Sequence, residues 1–360
     1  MPPPLTEGEV LDALRGVRDP DLGRDIVSLG FVRDVAVADG AVAFTIELTT
    51  PACPVREQMR QQARQAVAAL PGAGAVEVKM TSRVRATLNP RNEPLLPTVR
   101  NVVPIASGKG GVGKSTLTAN VALALARTGA RVGIMDADIY GPSIPTLMGV
   151  RALPKPSGQR VVPAEQYGIK LISMGFFLRE DDAVIWRGPM LHKTVQHFLG
   201  EVEWGELDYL LVDLPPGTGD VQLTLCQAIP LTGAAIVSTP QDVALKVAQK
   251  AITMFNMLNT PVLGLVENMA WYACPHCGSR DEIFGSGGTR KAAERLQLPF
   301  LGEIPLATAI RTSSDAGRPV VLDPASPFAA AYRTVAENLA AQVSIRTMQR
   351  ELTPLVQIRF

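Results

Sequence analysis

The stretch that most limits what this chain can fold into runs from Val102 to Ala126. An apolar run, Val102–Ala106, enters Ser107-Gly108-Lys109-Gly110-Gly111-Val112-Gly113-Lys114-Ser115-Thr116, and an apolar helical pattern follows from Leu117 to Ala126. Strand, glycine-rich turn and helix in immediate succession match G-x-x-x-x-G-K-[ST] in the structural setting that string requires. Gly108, Lys109, Gly110, Gly111, Val112, Gly113, Lys114, Ser115 and Thr116 are therefore candidate nucleotide-binding residues. Glycines there let backbone N–H groups converge on phosphate oxygens, and the following helix N-terminus adds a favourable dipole. Lys114 is expected at the β- and γ-phosphates, and the Ser115 hydroxyl on Mg²⁺.

The rest of the chain supplies a sheet for such a loop. Apolar runs at Val102–Ala106, Val132–Asp136, Tyr209–Asp213, Ala234–Thr239, Val262–Val266 and Phe300–Ile304 alternate with helix-length segments. Helical patterns run over Asp242–Leu258 and from Pro324 to about Met348. This alternation predicts an α/β domain over residues 99–360 with a doubly wound, mostly parallel sheet. Residues 1–88 read as a small α+β domain. Its expected elements are a helix near Glu7–Gly16, strands near Val32–Val37 and Val42–Leu48, a helix near Cys53–Leu70 and a strand near Val76–Met80. Residues 89–98, with Pro90, Pro94 and Pro97, read as a stiff linker.

Doubly wound sheets bind ligands at the C-terminal ends of their strands. Tyr209-Leu210-Leu211-Val212-Asp213 is an apolar strand ending in a carboxylate suited to Mg²⁺, and Leu214-Pro215-Pro216-Gly217-Thr218-Gly219-Asp220 follows as a loop able to move with a γ-phosphate. Asp136 and Asp138 end another strand; Asp138 is read as positioning the attacking water and Asp136 as lying nearer the metal. The catalytic set is thus Lys109, Lys114, Asp138 and Asp213, with Ser115, Asp136 and Asp213 for magnesium. Asn-Lys-x-Asp, the usual guanine reader, is absent; Val266-Glu267-Asn268-Met269 offers the Asn268 amide to adenine, which favours ATP. Lys109 has no local task in its loop. It is either a solvated lysine or a cation that reaches phosphates bound by a facing subunit.

Net charge is +1 and no basic block occurs, which points away from nucleic acid and anionic membranes. The N-terminal residues lack the charged and apolar regions of a signal peptide, so a cytoplasmic location is expected. In a reducing compartment Cys274-Pro275-His276-Cys277 reads as redox chemistry, half a zinc site or half an iron–sulfur site. Zinc and iron–sulfur clusters both want four thiolates, so either one predicts a homodimer by ligand count. His276 is expected to face solvent. Cys53 is either a thiol activated by a helix N-terminus or a small buried residue, Cys226 lies on an apolar helix over Val221–Ile229, and His192 and His197 read as structural.

At these residues the sequence resembles the Mrp/ApbC iron–sulfur carrier ATPases within the MinD/ParA deviant-Walker group. The resemblance covers about Arg100 to Leu322, through Lys109–Ser115, Asp136–Ser143, Asp213–Asp220, Val266–Met269 and Cys274–Cys277. Residues 5–88 resemble PaaD/SufT-type maturation domains through Asp19-Pro20-Asp21-Leu22-Gly23 and Thr50-Pro51-Ala52-Cys53-Pro54. The resemblance implies a homodimer sandwiching two ATP molecules, with Lys109 reaching across. It also implies a labile [4Fe–4S] cluster bridging Cys274 and Cys277 of both subunits, and transfer to apo iron–sulfur proteins. Gly287-Gly288-Thr289 departs from the family pattern and reads as a surface-loop detail. A positioning or scaffold ATPase with structural zinc at the cysteine pair is the rival reading. A P-loop kinase or dethiobiotin-synthetase-like ligase shares the fold but leaves the cysteines unexplained.

Overall fold

The computed structural model describes residues 5–87, 96–155, 160–177, 195–196, 199–217, 219–229 and 231–352. The chain divides into two compact units, Met1–Arg85 with Ser344–Phe360, and Ala86–Val343. Most of the expected linker, and the structural roles expected for His192 and His197, lie outside the described residues.

The small unit opens with α1 (Glu7–Leu14), started by a reciprocal cap in which the Glu9 amide donates to Thr6 Oγ1 at 3.3 Å and the Thr6 amide donates to Glu9 Oε2 at 2.9 Å. Strands β1 (Val32–Ala38) and β2 (Ala41–Leu48) form a hairpin whose two-residue turn, Asp39-Gly40, takes φ of 49° and 80°. Positive φ at both turn positions is what matches a right-twisted hairpin, and Asp-Gly supplies it at little cost. Strand β3 (Val76–Ser82) joins β2 in parallel. Helix α2 (Arg56–Ala68) covers the sheet and sinks Met59, Ala63 and Val67 into a core with Val10, Leu14, Phe31, Phe44 and Ile46. This helix begins three residues later than the sequence pattern suggested, because Pro54 biases Cys53 away from helical ψ.

The large unit is a nine-stranded sheet among the described residues. Its strands are β4 (Val102–Ser107), β5 (Val132–Asp136), β6 (Ala164–Gln166), β7 (Ile169–Ser173), β8 (Tyr209–Asp213), β9 (Ala234–Ser238), β10 (Val262–Ala273), β11 (Arg280–Asp281) and β12 (Phe300–Leu306). They lie in the order β12-β10-β9-β4-β8-β5-β7-β6, and β11 turns back on the end of β10. All pairings are parallel except β6 with β7 and β10 with β11. Every residue of β4, β5, β8 and β9 is buried, as expected where helices cover both faces. Between the strands run α3 (Lys114–Arg127), α4 (Ile144–Met148), α5 (Asp220–Ala228), α6 (Asp242–Met257), α7 (Gly288–Arg295) and α8 (Thr308–Asp315), with α9 (Ala329–Leu352) last.

From β4 the chain leaves for β5 beyond β8, and later returns to β9 on the opposite side of β4. Strand order therefore reverses at β4, and the crevice this opens lies at the C-terminal end of the strand that feeds the glycine loop. All six sheet strands read from the sequence are present. The edge hairpin β6–β7 was not legible, since β6 has only three residues and its turn, Tyr167-Gly168, interrupts any periodicity. The C-terminal boundary also differs from 360. From Ser344 onward α9 belongs to the small unit, where Met348 joins the core and Ser344 Oγ donates to Thr49 Oγ1. Apolar periodicity marks a buried face without saying which domain buries it.

Candidate functional site

The loop between β4 and α3 is shaped by close approaches that only glycine permits. A methyl group on Gly108 would lie 2.5 Å from the carbonyl carbon of Val247 on α6. Gly113 caps α3 at φ 80°, and a methyl there would sit 2.2 Å from Asn268 Nδ2. That amide donates to the Val112 carbonyl at 2.7 Å, so Asn268, expected at an adenine edge, braces the loop from beneath. Gly108→Ala is expected to cost about 1–3 kcal/mol by overpacking. Thermal melts with and without ADP check this, and the stabilisation that ADP gives should shrink as well.

Beneath the loop the candidate metal and phosphate residues meet. Lys114, only 6% exposed, places Nζ 2.8 Å from Asp213 Oδ2. Ser115 Oγ donates to the same oxygen at 2.5 Å. Thr118, unmarked in the sequence reading, donates to Asp213 Oδ1 at 2.9 Å. Asp213 is fully buried at the end of β8, so an ammonium and two hydroxyls carry its charge. A Ser hydroxyl beside a carboxylate is the hard oxygen pair that Mg²⁺ takes, and the ammonium has the charge a phosphate needs.

Asp136 lies beside Asp213 in register on β5. Its Oδ1 accepts from the Asp138 amide at 3.1 Å, and its Oδ2 accepts from the Ile144 amide at 3.2 Å and Ser173 Oγ at 3.0 Å. Burial, and then the charge of Asp213, push its carboxyl up to about 7. No hydrogen bond or ion pair joins Asp136 to Ser115 or Lys114 among the described residues, so its geometry is that of a brace for the 138–144 turn. Asp138 accepts from the Gly141 amide at 3.2 Å, and burial raises its carboxyl above the usual range. With Tyr140, Gly141, Pro215, Pro216, Gly219 and Gln222 it lines a cavity of about 610 Å³. Lys109 sits half-buried above, and its ammonium has no ion-pair partner among the described residues.

The cysteine pair follows the end of β10 directly and forms the turn of a hairpin. Strand β10 runs on past Val266 to Ala273, and β11 pairs with it, Tyr272 against Asp281 and Ala273 against Arg280. Across the turn the Cys274 amide donates to the Ser279 carbonyl at 3.0 Å and the Gly278 amide to the Cys274 carbonyl at 2.9 Å. Gly278, at φ 72°, completes the knuckle. Arg280 stacks 4.9 Å above Trp271 and lies 3.7 Å from Glu303, which fixes the root of the hairpin. Cys274 is half-buried and Cys277 exposed. The Ser279 hydroxyl and amide, then Cys274, hold the Cys277 thiol below the ordinary thiol range. His276 is exposed, as expected. No third His, Cys, Asp or Glu joins the pair as a metal-binding group among the described residues.

The remaining cysteines divide. Cys226 is buried on α5 and its thiol is pushed up to about 12 by burial, so it is core. Cys53 is not activated: α2 starts beyond it, and burial pushes its thiol up to about 11. Gly287-Gly288-Thr289, expected as a surface-loop detail, is held from the protein interior. Glu267, fully buried on β10, accepts from the Gly287 amide at 3.0 Å and the Thr289 amide at 2.6 Å, and a methyl on Gly288 would meet the Pro240 carbonyl oxygen at 2.4 Å. Thr289 is fully buried, so the stretch is an interior cap for α7 and not a surface detail. A capping carboxylate twenty-odd residues upstream leaves no local pattern to read.

A family model described as NUBPL iron-transfer P-loop NTPase matches residues 98–340, and one described as iron–sulfur cluster assembly protein matches residues 7–80. An iron–sulfur cluster carrier protein of Synechocystis is 47% identical over 96% of this chain and 99% of its own length. The protein of that name from Escherichia coli K12 is 41% identical over 95% of this chain and 93% of its own. Among solved structures, a nucleotide-binding protein from Archaeoglobus fulgidus in complex with ADP is 42% identical, covers 66% of this chain and 94% of its own, and superposes with a TM-score of 0.58. The cell-division ATPase MinD of Pyrococcus furiosus, at 22% identity and a TM-score of 0.51, shares the fold. The glycine loop, the carboxylates beneath it and the hairpin cysteines all fall inside the stretch matched by the first model. With relatives of nearly equal length, they place the chain in the family of NUBPL-type iron-transfer P-loop NTPases, preceded by an iron–sulfur cluster assembly domain.

Proposed function

We propose that this protein hydrolyses ATP and that its nucleotide state governs a labile [4Fe–4S] cluster, held by Cys274 and Cys277 of two chains, for delivery to apo-proteins. One observation carries the coupling. Strand β10 holds Asn268, which braces the P-loop at Val112, and ends at Ala273, immediately before Cys274 of the hairpin turn, six residues on from Asn268. Between them Met269 takes φ 56° and the pairing of β10 with β12 shifts register. A non-glycine residue in the left-handed region is a stored cost of the kind found where a segment moves. A change at the loop thus has a direct mechanical path to the thiols.

In this reading Lys114 binds the β- and γ-phosphates, Ser115 and Asp213 hold Mg²⁺, and Thr118 keeps Asp213 oriented. Magnesium, when bound, offsets charge on the phosphate oxygens. Asp138 positions the attacking water, and Asp136 fixes the turn that carries Asp138. Lys109, whose ammonium has no ion-pair partner among the described residues, reaches the phosphates of the facing subunit. Two thiols per hairpin supply half of a four-thiolate set, so a second copy completes it. No helix among the described residues is long and apolar enough to cross a membrane, and the work proposed here is done in the cytoplasm.

Mixing the anaerobically reconstituted protein with an apo-protein that needs a [4Fe–4S] cluster tests the proposal. Recovery should outrun that given by free iron and sulfide, and ATP should change its rate. Recovery no faster than the free-ion control contradicts it. Lys109→Ala is expected to lower ATP turnover about tenfold or more, as loss of a charge that acts on the transferring phosphoryl group does. Unchanged turnover in that variant removes the cross-subunit role.

A further inference from the structure

The cavity that Asp138 lines holds a second polar side chain without a role so far. Gln222, in the first turn of α5, is 1% exposed. Neither its Nε2 nor its Oε1 has a hydrogen-bond partner among the described residues, yet the residue lines the same cavity as Asp138, Gly141 and Gly219. A buried amide with both ends unmade is a standing cost, which a merely structural position would shed by carrying leucine or methionine. Its surroundings are those of the phosphate site. Helix α5 starts at the end of the glycine loop that leaves Asp213. That loop is tied to β4 by the Gly217 amide, which donates to the Ser107 carbonyl at 3.0 Å. A methyl on Gly110 of the P-loop would touch Pro216, another wall of the cavity, at 3.9 Å.

We infer that Gln222 orients the water that attacks the γ-phosphate, its Oε1 accepting a water hydrogen while its Nε2 donates to a γ-phosphate oxygen. The inference rests on the ATPase reading given above. In the step it serves, the water oxygen bonds to the γ-phosphorus and the bond from that phosphorus to the β,γ-bridging oxygen breaks. The electron pair stays on that oxygen in ADP, and the water proton passes through the Asp138 carboxylate to the released phosphate. An amide suits the place because it donates and accepts at once and carries no charge against the phosphate. Asp138 takes the proton; Gln222 sets the angle of approach.

Steady-state ATP hydrolysis by the full chain, with thermal melts in parallel, tests this. Gln222→Leu removes both polar ends at nearly constant volume, so its melting temperature should equal or exceed that of the unchanged protein. Its kcat should fall on the order of 10²-fold, the penalty for misplacing a reactant. Its KM should rise by about tenfold at most, the cost of the one hydrogen bond to the γ-phosphate that ground-state binding loses. Gln222→Glu keeps the shape and sets a negative charge against the γ-phosphate. Its kcat should fall at least as far, and it decides the matter if the leucine variant melts early. A folded variant whose kcat stays within about threefold of the unchanged protein overturns the inference and leaves the ATPase reading intact. No ATP turnover by the unchanged protein overturns both.

Discussion

Lys114→Ala should lose ATP turnover by on the order of 10²–10³-fold, the scale on which one preorganised charge at a developing oxyanion acts. The same substitution should also lower stability, and the structure says why. Lys114 is 6% exposed and lies 2.8 Å from Asp213, which is fully buried. Removing the ammonium leaves that carboxylate with two hydroxyl donors, from Ser115 and Thr118, and no countercharge. Breaking one side of a buried pair costs about 3–5 kcal/mol, chiefly because the surviving charge is stranded. The double variant Lys114→Ala/Asp213→Asn should therefore regain much of the lost stability and none of the turnover. Thermal melts and phosphate release, run as a double-mutant cycle, separate the two effects. Additive losses of stability would mean that the two residues do not act as a pair.

The second large effect is expected at the hairpin. Cys274→Ala/Cys277→Ala should abolish labile iron and sulfide after anaerobic reconstitution while leaving the fold and basal ATP turnover in place. The turn is closed by backbone bonds from Cys274 to Ser279 and from Gly278 to Cys274, and its root is held by Arg280 on Trp271. None of these needs a sulfur. Cys277 is exposed and Cys274 half-buried, so stability should change by about 0.5 kcal/mol or less, as for surface substitutions away from special features. Iron, sulfide and absorbance measurements on the variant, beside its melting curve, check both halves. Iron and sulfide equal to those of the unchanged protein would remove the cysteines from the site.

Much of this arrangement was legible in the sequence, for physical reasons that also mark the limit. The P-loop could be read because its glycines, Lys114 and Ser115 are contiguous and set between a strand and a helix. Asp213 could be read because an apolar strand that ends in a carboxylate is itself a local pattern. What could not be read is what arrives from elsewhere in the chain. Thr118 looks like any helical threonine until Asp213 is laid beside it. Glu267 is an ordinary strand-end acid until the amides of Gly287 and Thr289 converge on it. Asn268 was assigned to adenine on its chemistry alone, and its distance to Val112 shows a brace. The sequence sets Asp136 nearer the metal and Asp138 at the attacking water, but it does not show that three donors hold the first while the second lines a cavity. The hairpin cysteines could be counted but not placed, because β10 runs through the positive-φ turn at Met269, where the pattern suggests it stops.

The claim that a second chain completes the cysteine site is tested most directly by native mass spectrometry of the reconstituted protein under argon. The arrangement of two thiols per hairpin predicts a species of two chains carrying one four-iron, four-sulfide cluster, about two irons per chain, that Cys274→Ala/Cys277→Ala does not form. A single chain retaining a complete cluster, or two chains joined through zinc with no iron or sulfide, would contradict it.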